Sequence, residues 1–192
     1  MITKKILYWY DNNKRSLPWR IRCPAKKKEY LTLVSEFMLQ QTQVKTVIPY
    51  FVSFLKSIPD LQSLVKVSES KLLKHWQGLG YYSRAKNLKK SAKMIINDYN
   101  GRLPNSFEEL KKLPGVGDYT ASAILAIAFN KQIIPLDGNI ERVLKRILNL
   151  KKEDEIKQKN LHKQKKIFGK TLRSSDYAQA LMEIGALLCK PK

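Results

Sequence analysis

Apolar residues recur three and four positions apart along nearly the whole chain, the spacing of helices that bury one face. That periodicity predicts an aromatic-bearing helix over 2–13, closed by the loop SLPWRIRCPAKKK, then a long helix over 29–54. Short helices are expected near 60–66 and 68–77, with Ser68 as a cap for the second. GLGYY reads as a turn into a basic helix that ends near Tyr99. In GRLPNSFEELKKL, Ser106 stands three residues before Glu109, the spacing of a capping box. Beyond IIPLDGN a helix is expected over 140–149, and an apolar helix over 177–188 closes the chain. The stretch over 151–166, KKEDEIKQKNLHKQKK, is highly charged and reads as a solvated linking helix. No segment carries the alternating pattern of a strand, and no repeat is present. The predicted fold class is all-α.

One turn stands out within this pattern. KKLPGVGDYTASAILAIAF places two glycines and a proline before an apolar helix, and from Leu113 to Asn130 the only charge is Asp118. Pro114 sets one backbone angle, and Gly115 and Gly117 permit the positive φ of tight turns. A glycine turn that presents backbone N–H groups at a helix start is suited to an anion. The same four letters, PGVG, also fit an ordinary turn between packed helices.

Charge narrows the choice of partner. The chain of 192 residues carries 37 basic and 16 acidic side chains, a formal net charge of +21, while 43% of its residues are hydrophobic. It therefore has the material for a core, and its basicity favours a polyanion, nucleic acid ahead of a membrane surface. A lysine-rich face that is simply solvated fits the same charge. Apolar runs reach about nine residues, too short to span a bilayer. Cys23 and Cys189 are the two cysteines, and no secretory pattern follows Met1, which predicts a reduced, cytoplasmic protein. His75 and His162 lie apart from any cysteine or acidic cluster, so no zinc site is expected.

Two carboxylates are candidates for chemistry. In LTLVSEFMLQQTQV, residues 31–44, the only charge is Glu36, and no lysine or arginine stands three or four residues from it. Apolar surroundings push a carboxyl group towards the neutral form that a general acid needs near pH 7. A glutamate at a helix edge reaching solvent is the competing reading. The adjoining QQTQ offers neutral hydrogen-bonding side chains able to read base edges or fill a gap in a base stack. The second carboxylate, Asp137 in PLDGNIERVLKRI, follows an apolar segment; locally it fits a turn in which Asn139 caps the next helix. Two carboxylates with a phosphate-holding turn fit cleavage of a glycosidic bond on DNA, through an oxocarbenium-like transition state.

SEFMLQQTQVKTVIPYF, GLGYYSRAKNL, LPGVGDYTASAI, LDGNIERVLKR and ALMEIGALLC together resemble the adenine DNA glycosylases, in the helix-hairpin-helix superfamily shared with endonuclease III. The resemblance runs in order from about Leu17 to Cys189. It implies a six-helix barrel domain with the hairpin over 29–131, and a second helical domain from both chain ends, 1–28 and 132–192. It implies as substrate adenine mispaired with 8-oxoguanine or guanine in double-stranded DNA, and a monomeric, bacterial-type, nucleoid-associated protein. Position by position, Glu36 matches the acid that protonates the leaving adenine, and Asp137 the carboxylate that stabilises the sugar cation, supported by Asn139. Tyr119 falls where strand-cleaving relatives place a nucleophilic lysine. Gln40, Gln41 and Thr42 match residues beside the lesion stack, Gln41 the better candidate for insertion, and Tyr81 the wedge next to the oxidised guanine. Leu113, Gly115, Val116 and Gly117 match the hairpin that clamps phosphates, and Gln179 the lining of the adenine pocket.

The chain departs from the family where Cys189 is followed by KPK. Family members continue with three more cysteines around a [4Fe-4S] cluster, and then with the domain that recognises 8-oxoguanine. Cys189 thus matches one of four ligands, Cys23 matches none, and the cluster is not expected to assemble on this chain. The basic loop RIRCPAKKK is also longer than expected. Two other functions stay open: a bifunctional pyrimidine-lesion glycosylase/lyase of the same superfamily, and a helix-hairpin-helix DNA-binding fragment with impaired catalysis.

Overall fold

The computed structural model describes residues 2–151, 156 and 171–191, and among them it is all-helical. The helices are α1 (Ile2–Asn13), α2 (Ala25–Leu39), α3 (Val44–Ser57), α4 (Leu61–Lys66), α5 (Glu69–Trp76), α6 (Ser83–Asp98), α7 (Phe107–Lys111), α8 (Asp118–Ile127), α9 (Gly138–Ile147) and α10 (Ser174–Leu187). The charged segment expected as a linking helix over 151–166 lies almost wholly outside the described residues. By contact the chain divides into two units, Ser16–Thr120 and the pair of segments Met1–Arg15 and Ala121–Lys192. These boundaries fall at 15/16 and 120/121, where the family resemblance implies 28/29 and 131/132.

The unit Ser16–Thr120 is centred on α2, whose residues 29–38 are all buried. A helix segment buried on every side is one enclosed by others, and here α3 and α6 pack on α2, with α5 on both and α4 on α6. Phe51 meets Trp19 edge-on at 5.2 Å between ring centroids, and Phe54 meets Trp76 edge-on at 6.1 Å. Pro49 sits inside α3, where a proline costs about 3 kcal/mol of helix stability. Val47, Phe51 and Phe54 are fully buried, and at about 1.5–3 kcal/mol each they outweigh it. Ser68 caps α5 by accepting the Lys71 N–H at 3.2 Å, as the sequence predicts. Only half of the expected capping box forms at α7. Ser106 accepts the Glu109 N–H at 3.2 Å, while the Glu109 carboxylate is taken by the Tyr99 hydroxyl and Lys112.

The long helix expected over 29–54 is two helices. α2 stops at Leu39 and α3 begins at Val44, because Gln41 adopts φ +55°. A single left-handed residue reverses the chain and ends the ladder of helical hydrogen bonds. The amide run QQTQ is thus the break itself. The second unit packs α1 and α9 against α10 around Ile6, Tyr10, Ile140, Leu144, Tyr177 and Leu181, with Cys189 at its edge.

Candidate active site

Glu36 opens the last turn of α2 and is 4% exposed. Leu33, Val34 and Phe37 around it in sequence are fully buried, so the competing reading, a glutamate reaching solvent at a helix edge, does not hold. One turn further on the helix ends, and Gln40 and Gln41 point to different tasks. Gln40 donates its side-chain amide to the Gly115 carbonyl at 3.1 Å and to Thr120 Oγ1 at 3.3 Å, so it braces the hairpin. Gln41 is exposed, and Thr42, half-buried, closes the turn through its N–H to the Leu39 carbonyl at 3.2 Å.

The hairpin over 113–117 is anchored by its apolar members. Leu113 and Val116 are buried, and the Val116 N–H closes the turn on the Leu113 carbonyl at 3.0 Å. Gly115 has φ +81°, and a Cβ there would lie 2.9 Å from both the Phe37 ring and Asn87 Cβ. Glycine is required on both counts. Gly117 differs from expectation: its φ is not positive, and a Cβ there would meet open space. Its lack of a side chain leaves the backbone before α8 accessible. Asp118 opens α8 in an ion pair with Lys111 at 2.6 Å, and Tyr119, next along, is half-buried. Tyr81, in the turn before α6, is 61% exposed and has φ +45°.

The second unit holds the other group of candidates. Asp137, not Asn139, is the N-cap of α9: Oδ1 accepts the Ile140 N–H at 2.7 Å. Capping from Asp137 places its carboxylate at the positive end of a helix. Asn139 instead donates from Nδ2 to Asp137 Oδ2 at 3.4 Å and accepts at Oδ1 from Arg142 Nη2 at 2.8 Å. Arg142 also donates to the Gly185 and Cys189 carbonyls at 2.9 and 2.6 Å, which joins the start of α9 to the end of α10. Gly185 allows that approach, since a Cβ there would lie 2.9 Å from Asn139 Cβ. Gln179 is buried, with its amide on Ser175 of its own helix at 3.3 Å. Glu183, fully buried, takes a two-pronged ion pair from Arg15 at 2.8 Å for each prong.

A [4Fe-4S] cluster takes four thiolates, and this chain has two cysteines. Cys189 is buried with its sulfur accepting from Arg146 Nη1 at 2.8 Å, and Cys23 is half-buried. Among the described residues no group of three or more histidine, cysteine or acidic side chains is placed to hold a metal ion. The residues present do not fit the cluster. No described helix is long and apolar enough to cross a membrane.

Residues 34–166 match the profile of the HhH-GPD superfamily base excision DNA repair proteins. The chain belongs to that family. It is 44% identical over 96% of its length to an adenine DNA glycosylase of Buchnera aphidicola, and 39% identical over 97% to an adenine DNA glycosylase of Homo sapiens. It spans 52% and 36% of those two relatives' own lengths. A thermostable thymine-DNA glycosylase superposes on the whole chain and 87% of its own, with TM-score 0.82 at 27% identity. An endonuclease III–DNA complex shares the fold, with TM-score 0.75 at 23% identity, over the whole chain and 89% of its own. The all-α helix-hairpin-helix architecture read from the sequence is therefore the architecture of the HhH-GPD superfamily.

Arg84 and Arg142 were not among the candidates in the sequence. A signal for both existed: most basic residues of this chain are lysines, and arginine is the residue whose planar fork binds several acceptors at once.

Proposed function

We propose that this chain is the core of a monofunctional adenine DNA glycosylase, acting on adenine opposite 8-oxoguanine or guanine in double-stranded DNA. The observation that carries the reading is Glu36, a carboxyl group 4% exposed on a helix enclosed by apolar neighbours. Support comes from the adenine DNA glycosylase relatives, which match nearly all of the chain. In this reading the target nucleotide leaves the stack. Glu36 protonates the adenine, and the bond between the sugar C1′ and the base breaks with its electron pair leaving on the base. The Asp137 carboxylate stabilises the cationic sugar. Water then adds at C1′ and gives its proton to the Glu36 carboxylate, which restores the acid.

Contacts to DNA divide between holding and reading. The open backbone at Gly117 and the hairpin over 113–117 hold a phosphate, and the charge of +21 supplies affinity that falls steeply with salt. Gln41 and Tyr81, exposed on two turns, read the mispair. In this reading Gln179 contacts the adenine. Tyr119 has no amine, so no Schiff base forms and the backbone is left intact. Chromosomal DNA as partner places the protein at the nucleoid of a bacterial-type cell, as a monomer.

The test is single-turnover excision on duplexes with adenine opposite 8-oxoguanine, adenine opposite guanine, and thymine glycol. Strand breaks only after alkali, on the adenine duplexes alone, are the expected result. Excision of thymine glycol with borohydride trapping would support the glycosylase/lyase reading. Binding without excision of any base would leave a DNA-binding module.

A further inference from the structure

Gln41 and Tyr81 are far apart in sequence, yet each is a non-glycine residue with left-handed backbone, φ +55° and +45°. Such residues are strained and persist only where their surroundings fix them. One side chain touches both turns. Arg84, 6% exposed, donates from Nη1 to the carbonyls of Phe37, Met38 (2.8 Å) and Gln40, and from Nη2 to those of Leu79 (3.0 Å) and Gly80 (3.2 Å). The Gln40 and Gly80 carbonyls belong to the peptides immediately before Gln41 and Tyr81. Fixing the plane of that peptide fixes the φ that follows it.

The rest of the guanidinium lies over rings, 5.7 Å from the Trp76 centroid and 5.4 Å from that of Tyr81. Among the described residues no carboxylate pairs with Arg84. A buried cation without an anion is costly to fold, and burial pushes its pKa down. Five carbonyls and two ring faces compensate it, and all but one of these seven partners come from the end of α2 or the turn between α5 and α6. A lysine could not serve, because an ammonium has no fork to span two sets of carbonyls.

We propose that Arg84 is a positioning residue that sets Gln41 and Tyr81 as a matched pair, so that both turns meet the mispair already in the conformation that reads it. The inference rests on the proposed function and assigns it a specificity determinant. Arg84→Lys is expected to leave affinity for fully paired duplex within about 2-fold, because the hairpin supplies it. The preference for mispaired over paired duplex should fall by at least about 10-fold. Fluorescence of 2-aminopurine beside the mispair, which reports unstacking, should drop in parallel. In a Gln41→Ala, Tyr81→Ala background the same substitution should change the preference less than 2-fold, because the residues through which it acts are gone.

A merely structural role would lower binding of both duplexes equally in both backgrounds, and that result overturns the proposal. So does an Arg84→Lys protein that discriminates like wild type. Should that variant fail to fold by circular dichroism, Gly80→Ala disturbs the peptide that Arg84 holds before Tyr81 and keeps both reading side chains, since Gly80 has φ +70° and an alanine there is strained although space is open. It must lose discrimination and keep paired-duplex affinity, and an unchanged preference overturns the proposal equally. Wild-type protein with no preference for the mispair would remove the proposed function itself, a result separable from failure of the variants.

Discussion

The side-chain amide of Gln40 donates to the carbonyl of Gly115, 75 residues away, at 3.1 Å. The turn that ends α2 and the hairpin before α8 are thereby one structure, and the two glycines of that hairpin have different duties. Gly115→Ala must place a methyl group 2.9 Å from Phe37 and Asn87 at φ +81°. The left-handed backbone alone costs about 1–2 kcal/mol, and the overlap adds to it. Gly117→Ala meets open space and should leave the denaturation midpoint almost unchanged. It puts its methyl on the backbone proposed to hold a phosphate, so duplex affinity should fall. Equal losses of stability in the two variants, by urea titration, would contradict this division.

Much of the fold was legible because helix periodicity and caps are local. Ser68 and Ser106 cap where the sequence places them, and the apolar stripes lead to the observed helices. What was not legible depends on distant partners. Nothing local distinguishes QQTQ in a helix from QQTQ in a turn, since glutamine is a fair helix former. The break is set by Gly115, which takes the Gln40 amide, and by Arg84, which takes the carbonyls at the end of α2. Likewise the cap of α9 is Asp137 and not Asn139, whose side chain is engaged by Arg142 and packs close to Gly185, beyond the turn. Glu36 was legible as the only charge over residues 31–44, whereas the depth of its burial follows from the helices packed around α2.

Tyr177 offers a test of the second unit's core. It is 1% exposed, and burial pushes its phenol up to about 12. In the unfolded chain a phenol loses its proton near pH 10. Between these values the unfolded state releases a proton and the folded state does not. The stabilisation is fully present below pH 10 and is lost as the pH rises towards 12, at about 1.4 kcal/mol per pH unit. Tyr30, buried in the other unit, is shifted in the same direction by burial. Tyr177→Phe should unfold with a shallower dependence on pH over that window. Identical slopes for the variant and wild type, measured by denaturant titration at several alkaline pH values, would show that the phenol is not held neutral by the fold.

Glu36→Gln keeps the shape of the side chain and removes its acidic proton. Loss of a general acid costs roughly a hundred- to ten-thousand-fold in rate. Duplex binding should stay within about 2-fold of wild type, since Glu36 is buried and glutamine keeps its shape. Single-turnover excision on the adenine:8-oxoguanine duplex checks the rate, and a gel-shift titration checks the binding. Near-normal excision would remove Glu36 from the chemistry.

Asp137 has two roles that substitution can separate. As N-cap of α9 it accepts the Ile140 N–H at 2.7 Å, a task asparagine performs nearly as well. Asp137→Asn should therefore change stability by only a few tenths of a kcal/mol, whereas Asp137→Ala should lose about 1 kcal/mol with the cap. Stabilising a cationic sugar requires the negative charge, which both variants lack. Both should then excise adenine at least about a hundred-fold more slowly, the usual scale for one electrostatic contact to a transition state. If the proposed chemistry is wrong and Asp137 only caps the helix, activity will follow stability: asparagine will be active and alanine impaired. Parallel measurement of melting temperature and single-turnover rate for the two variants separates these outcomes, because the asparagine protein is the one in which cap and charge come apart.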